Sequence, residues 1–218
     1  MNDNALGFNI ESLERVIDKV IESYNQVISS SYGRFCYLIN TRLSKGWYAP
    51  QGVKYVTQMA ERQNTINNKI YDSYNYIFQI IVDAGKKWAN TVGEYWHCSR
   101  KIPDLRQSID VSVMMPRAND GFVGIISENM SDANAILTAL SADVEYKIDE
   151  FGVFVYSEVP FLGREQAHYL HHSIHKTSNA IFDLLRENME AFKKGIQETM
   201  ETYRQTAQAN AQRFSSGN

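Results

Sequence analysis

Proline is nearly missing from this sequence. Four occur in 218 residues, at Pro50, Pro103, Pro116 and Pro160. A proline inside a helix costs about 3 kcal/mol. These four therefore mark where helices cannot run through, and the stretches from Pro50 to Pro103 and beyond Pro160 are open to long ones. Cysteine is scarcer still. Cys36 and Cys98 match no zinc or redox spacing. A chain folding back near Ala49 sets the two far apart along the helix axis, so no bridge is expected within one hairpin. No run of about 18 apolar residues exists, which excludes a membrane-spanning helix. The start, Met1 to Phe8, lacks the basic region and apolar core of a conventional secretory signal. Neither sign of charge is in excess. There are 22 Lys and Arg against 25 Asp and Glu, a net charge of -3, so a general phosphate-neutralising surface for nucleic acid is not expected. The phosphate-binding loop, the serine elbow, the dinucleotide glycine fingerprint and His-Glu-x-x-His are all missing from the sequence. The chain is expected not to be an enzyme.

What remains is apolar residues at helical spacing. Hydrophobic residues make up 44%, enough for a packed core. Leu13, Val16, Ile17, Val20, Ile21, Tyr24, Val27 and Ile28 recur at three and four, and Tyr32, Phe35, Ile39 and Leu43 continue the stripe. A first helix is predicted over residues 9–43, with a bend near Gly33. A second is predicted over 51–97, with Val53, Val56, Ala60, Ile66, Ile70, Tyr74, Ile77 and Ile81 as its stripe. A fourth helix is predicted over 164–212, with Ala167, Leu170, Ile174, Ile181, Leu184, Leu185 and Phe192 as its core side. Residues 122–158 admit two readings. Ile136, Leu140, Val144, Ile148 and Phe151 step at four and three, which favours a helix over 131–157. The alternative pairs 144–148 with 153–157 as a hairpin across Gly152. Residues 109–113 also alternate like a strand, so a short strand is allowed for at 109–115 or at 144–157.

The fold class is therefore all-α: two long antiparallel helical hairpins forming an elongated bundle. The chain divides into a hairpin over 1–100 with its turn at Trp47, a linker over 101–121, and a second hairpin over 122–218 with its turn at Phe161-Leu162-Gly163. A ring beside a helix end pins the return angle, and glycine permits a close backbone approach there. Gly46 and Tyr48 flank Trp47, which is read as an accessible loop tip; Phe161, between Pro160 and Leu162, is read as more deeply packed.

A helical hairpin with Trp-x-Gly at its turn resembles the WXG family of small type VII secretion substrates. Phe161-Leu162-Gly163 matches the Phe variant of that turn, and Trp47-Tyr48-Ala49 keeps the Trp with Ala in place of Gly. The resemblance covers residues 9–97 and 122–212. It implies hairpins that dimerise into four-helix bundles, and export without a conventional signal peptide. It makes Trp47, Phe161 and Gly163 a partner-binding turn. The Tyr-x-x-x-Asp/Glu export signal that many members carry after the second helix is not matched: Ala207 follows Tyr203 and Ser99 follows Tyr95. Tyr146 to Glu150 fits the letters but falls within the third segment.

Four histidines form the other constellation. His168, His171, His172 and His175 share one helical face, and His168/His172 and His171/His175 are i,i+4 pairs able to chelate zinc. This face lies away from the Ile174 stripe, toward solvent or a partner. A polar face and a structural metal site are both open. Tyr71, Tyr74 and Tyr76 are assigned to core or interface packing, since only Lys69 accompanies them as a cation. The sequence thus points to a non-enzymatic helical binding protein, a type VII secretion substrate or partner. It would engage a protein partner or its own copies by helix packing, with no nucleic acid and no membrane span, either secreted or cytoplasmic. The alternatives are a scaffold protein of a larger assembly, or a sensor binding a metal or small molecule.

Overall fold

The computed structural model describes residues 9–111, 123–158 and 164–215. Helix α1 (Ile10–Leu38) passes into a π-helical turn (Ile39–Leu43) and one short helical turn (Ser44–Gly46). Strand β1 (Trp47–Tyr48) follows, then α2 (Pro50–Thr91), β2 (Gly124–Ile125), α3 (Ser127–Glu158) and α4 (Arg164–Ser215). The helices pack against each other, and the protein is an all-α bundle with one two-stranded antiparallel ribbon. Among the described residues, no helix is long and apolar enough to cross a membrane.

Local chemistry accounts for the helix ends. The Asn9 side chain accepts from Ser12 N at 3.0 Å and caps α1. Pro50 opens α2, where its missing N–H would have had no partner anyway. Gly93 closes α2 with φ of 75°. Glu94 N donates to Ala89 O at 2.9 Å and Gly93 N to Asn90 O at 3.3 Å, the paired bonds of a Schellman ending. Helix α1 runs unbroken through Gly33. The irregularity comes later, at Ile39–Leu43, where the Thr41 and Ser44 hydroxyls donate to Tyr37 O and Asn40 O at 2.7 and 2.6 Å. Such back-bonding competes with the helical ladder.

The strand expectations need correcting. Residues 144–157 are helix, because Val144, Ile148 and Phe151 all turn into the core. Residues 109 and 110 are not in a strand, and 112–115 lie outside the described residues. The ribbon forms elsewhere, with Trp47 opposite Ile125 and Tyr48 opposite Gly124. Ile126 N donates to Gly46 O at 2.8 Å and extends the pairing.

The chain resolves into two compact units that do not follow the sequence halves. The first takes the described residues of Met1–Ser31, Ile66–Arg106 and Asp143–Leu184. The second takes those of Tyr32–Thr65, Gln107–Ala142 and Leu185–Asn218. Each helix gives one stretch to each unit.

In the first unit Tyr24, Tyr74 and Phe151 pack in sequence, with ring centroids 5.6 and 5.7 Å apart. The Tyr74 hydroxyl, fully enclosed, shares a 2.8 Å hydrogen bond with Ser23 Oγ, and burial pushes its pKa far up. Arg15–Glu158 and Lys19–Glu150 pair across α1 and α3 at 3.1 and 3.7 Å, which fixes them as antiparallel. The stretch after α2 is extended but packed. Arg100 pairs with Asp18 at 2.7 Å and Glu14 at 3.7 Å, and Ile102 is buried. The Arg106 guanidinium lies 4.1 Å from the Tyr71 ring centroid.

In the second unit Asn188 donates to Gln63 at 3.1 Å inside the core. Asn64 accepts from Ile109 N at 2.9 Å. Arg42 pairs with Asp132 at 3.0 Å.

Candidate functional site

The turn tryptophan proves to be interior. Trp47 is 3% exposed, so the reading of an accessible loop tip is corrected. Its indole lies against the first turn of α2 at Gly52, where a Cβ would fall 2.5–2.6 Å from Cδ1, Cγ and Nε1. The glycine on which this tryptophan sits is thus five residues on, at Gly52. Trp47 meets Tyr55 at 5.6 Å, Tyr55 meets Phe192 at 5.6 Å, and Phe192 meets Phe35 at 5.6 Å. The Tyr55 hydroxyl donates to Ala191 O at 3.1 Å and sits on Gly195, where a Cβ would collide with it. Burial raises its pKa. This file of four rings pins the turn to the second unit's core. Phe161 and Gly163 lie outside the described residues.

The four histidines are on the surface of α4 in the first unit, as their spacing predicts. His168, His172 and His175 are exposed and His171 is half-buried. The His171 and His175 rings stand edge to face at 6.2 Å, and Asn179 Nδ2 donates to His175 Nδ1 at 2.9 Å. Among the described residues no three His, Cys, Asp or Glu side chains converge on a point that could hold a metal. Cys36 and Cys98 are both free.

One part of this face does belong to a concave surface. In the first unit α2 and α4 leave an open groove of about 570 Å³. Asp72, Ser73 and Tyr76 form one wall; Tyr169, His172 and Lys176 form most of the other. Tyr169 also borders a smaller groove of about 320 Å³ with Asp83 and Lys87. Tyr76 and Tyr169 are 52% and 62% exposed. The walls therefore offer two aromatic faces with free edges, two carboxylates, two ammonium groups and one imidazole. That mixture suits a peptide surface of mixed charge. The carboxylates disfavour a phosphate backbone.

Tyr169 carries no sequence motif and was missed. Of the tyrosine cluster, Tyr74 is core and Tyr71 lies under Arg106, while Tyr76 alone faces outward. The only available signal was position: Tyr169 sits beside His168 on the polar side of the α4 wheel, where a large ring has no core to enter.

Comparison with protein-family models, with curated proteins and with solved structures finds no match.

Proposed function

We propose that this chain is a binding protein that works through helix faces and not through catalysis, and that the α2–α4 groove of the first unit receives a segment of a partner protein. The observation that carries this is the pair of half-exposed tyrosines, Tyr76 and Tyr169, on the walls of one groove. Tyrosine supplies large contact area at low entropic cost and is enriched at interface hot spots. A photo-crosslinking side chain at position 169 of the full chain should give one discrete protein adduct in native cells, weakened by Tyr76→Ala. The same group at position 146, on exposed α3 surface, should give none. Equal labelling from both positions would overturn the groove as a site.

The finer reading is a type VII secretion substrate or partner of the WXG kind. Two features support it: a tryptophan packed on glycine at the turn of a long helical hairpin, and the pairing of two hairpins into four-helix units inside one chain. On this reading the second hairpin takes the place of the partner hairpin that family members recruit. The chain should then reach the culture medium only in cells with an intact export ATPase. Equal retention in cells with and without that ATPase would remove this reading and leave the groove unaffected.

A further inference from the structure

The apolar stripe of α4 continues after the core ends. In the second unit Leu185, Met189, Phe192 and Ile196 form the buried side of this helix, at 3% exposure or less. At 100° per residue, Met200, Tyr203, Ala207, Ala211 and Phe214 continue the same side, within an arc of about 80°. Ile196 is the last buried residue. Met200 and Tyr203 are half-buried, and every residue from Arg204 to Ser215 is exposed. Phe214 is 82% exposed. Residues 197–215 make about 28 Å of helix at 1.5 Å per residue. An isolated helix of that length is marginal in water, and this one presents a row of apolar side chains that is partly covered at Met200 and Tyr203 and uncovered by the described residues from Ala207 onward.

The row is a palindrome. Its spacings are three, four, four and three about Ala207. A two-fold axis through Ala207 sets Met200 opposite Phe214 of a second copy, Tyr203 opposite Ala211 of that copy, and Ala207 opposite itself. Isologous interfaces require such self-complementarity, and an unrelated partner does not. Charge is balanced too, with Glu198 and Glu201 against Arg204 and Arg213. Arg204, the charge nearest the stripe, is held by Glu201 of its own helix at 2.8 Å. On the other flank Thr199, Thr202 and Thr206 donate to carbonyls of their own helix at 2.8, 2.8 and 2.9 Å. A second copy therefore meets no row of like charges. The two Phe214 rings, the exposed parts of the two Tyr203 rings, and the methionines and alanines are apolar surface that the pair removes from water, on the scale of a weak, reversible interface. Beside the stripe lies an open cleft of about 760 Å³, lined by Ile125, Ser131, Met200 and Ala207 among others, that side chains of an incoming helix can enter.

We propose that the chain forms an antiparallel two-fold dimer through residues 197–215 of α4, with Ala207 on the axis. Sedimentation equilibrium of the full chain should show a reversible monomer–dimer equilibrium with a dissociation constant below about 100 μM. Ala207→Glu and Ala207→Lys should each weaken it about a hundredfold through like charges on the axis, and an equimolar mixture should restore the dimer. Ala207 is exposed and both replacements are good helix formers, so circular dichroism at concentrations where the wild type is monomeric should not change. In a Cys36→Ala, Cys98→Ala background, Met200→Cys should cross-link to Phe214→Cys and neither should cross-link to itself. Overturning results are a wild-type monomer at about 100 μM, an Ala207→Glu variant that dimerises like wild type, a mixture that stays monomeric, or self-linking of the Met200→Cys variant, which means parallel helices.

Discussion

The Trp47 side chain joins the turn after α1 to the first turn of α2 and to the ring of Tyr55. A ring buried at 3% exposure, stacked on Tyr55 and seated on Gly52, should cost about 3–5 kcal/mol when cut to Ala. Its Nε1 is buried without a hydrogen-bond partner among the described residues. Trp47→Phe discards that unpaired donor and keeps an aromatic ring, so it should cost less than half as much. Urea unfolding of both variants measures this, and equal losses would mean that the indole N–H has a partner in solution. Trp47 reads as a loop tip for a physical reason. Gly46 and Tyr48 look like loop-tip neighbours. Yet Gly46 is small because the Asn129 side chain lies on it, and Trp47 is covered by α2 while the aromatic file runs on to Phe192, far along the chain. Tyr169 erred the other way: a ring between polar residues carries no mark that it will border a groove.

At the level of elements, helical spacing was enough to place all four helices, because an apolar residue every three or four positions has only one way to reach a core. The start at Pro50 was legible, but the end was not: the spacing carries the second helix to residue 97, whereas it stops at Thr91 because Gly93 takes a left-handed conformation. Gly93 holds φ of 75°, and an alanine there should cost about 1 kcal/mol, read from the shift in the urea midpoint. A neutral outcome would mean that the Schellman ending frays. The β1–β2 ribbon was not legible, since two residues per strand carry no alternation and the pairing is made by backbone groups distant in sequence. Prolines make residues 101–121 read as a linker; residues 101–111, the part of it that is described, are held by side-chain contacts. Within it the Arg106 guanidinium grips Asp104 at 2.6 and 2.7 Å and holds its carboxyl at about 2, below the usual carboxylate range. A depressed pKa in the folded state favours folding above the unfolded value near 3.9. That contribution is lost as pH falls through about 2. Carboxyl NMR should find the Asp104 midpoint near 2 in the wild type and back in the usual range in Arg106→Gln. An unchanged midpoint in that variant would assign the shift to another cause.

For the molecule as a whole, the decisive fact is that each compact unit draws on both sequence halves. The first buries Leu13 and Val20 of α1, Ile70 and Ile77 of α2, Ile148 and Phe151 of α3, and Leu170 and Ile174 of α4. The second buries Phe35, Val56, Leu137 and Phe192 from the same four helices in the same order. Composition and spacing could show two hairpins but not this sharing, because an apolar stripe does not say which other stripe covers it. Ion pairs between α1 and α3 and between Arg42 and Asp132 also cross from one half to the other. A hairpin alone would leave its outward apolar residues bare, and two-helix pairs bury too little to offset chain entropy. Residues 1–100 and 123–215, produced separately, should therefore each lack a cooperative unfolding transition. Mixed at equal concentration they should recover helical ellipticity and one shared transition in urea. Two independent cooperative transitions, unchanged on mixing, would mean that each hairpin is a domain by itself and that the sharing of cores between the halves is not what stabilises the fold.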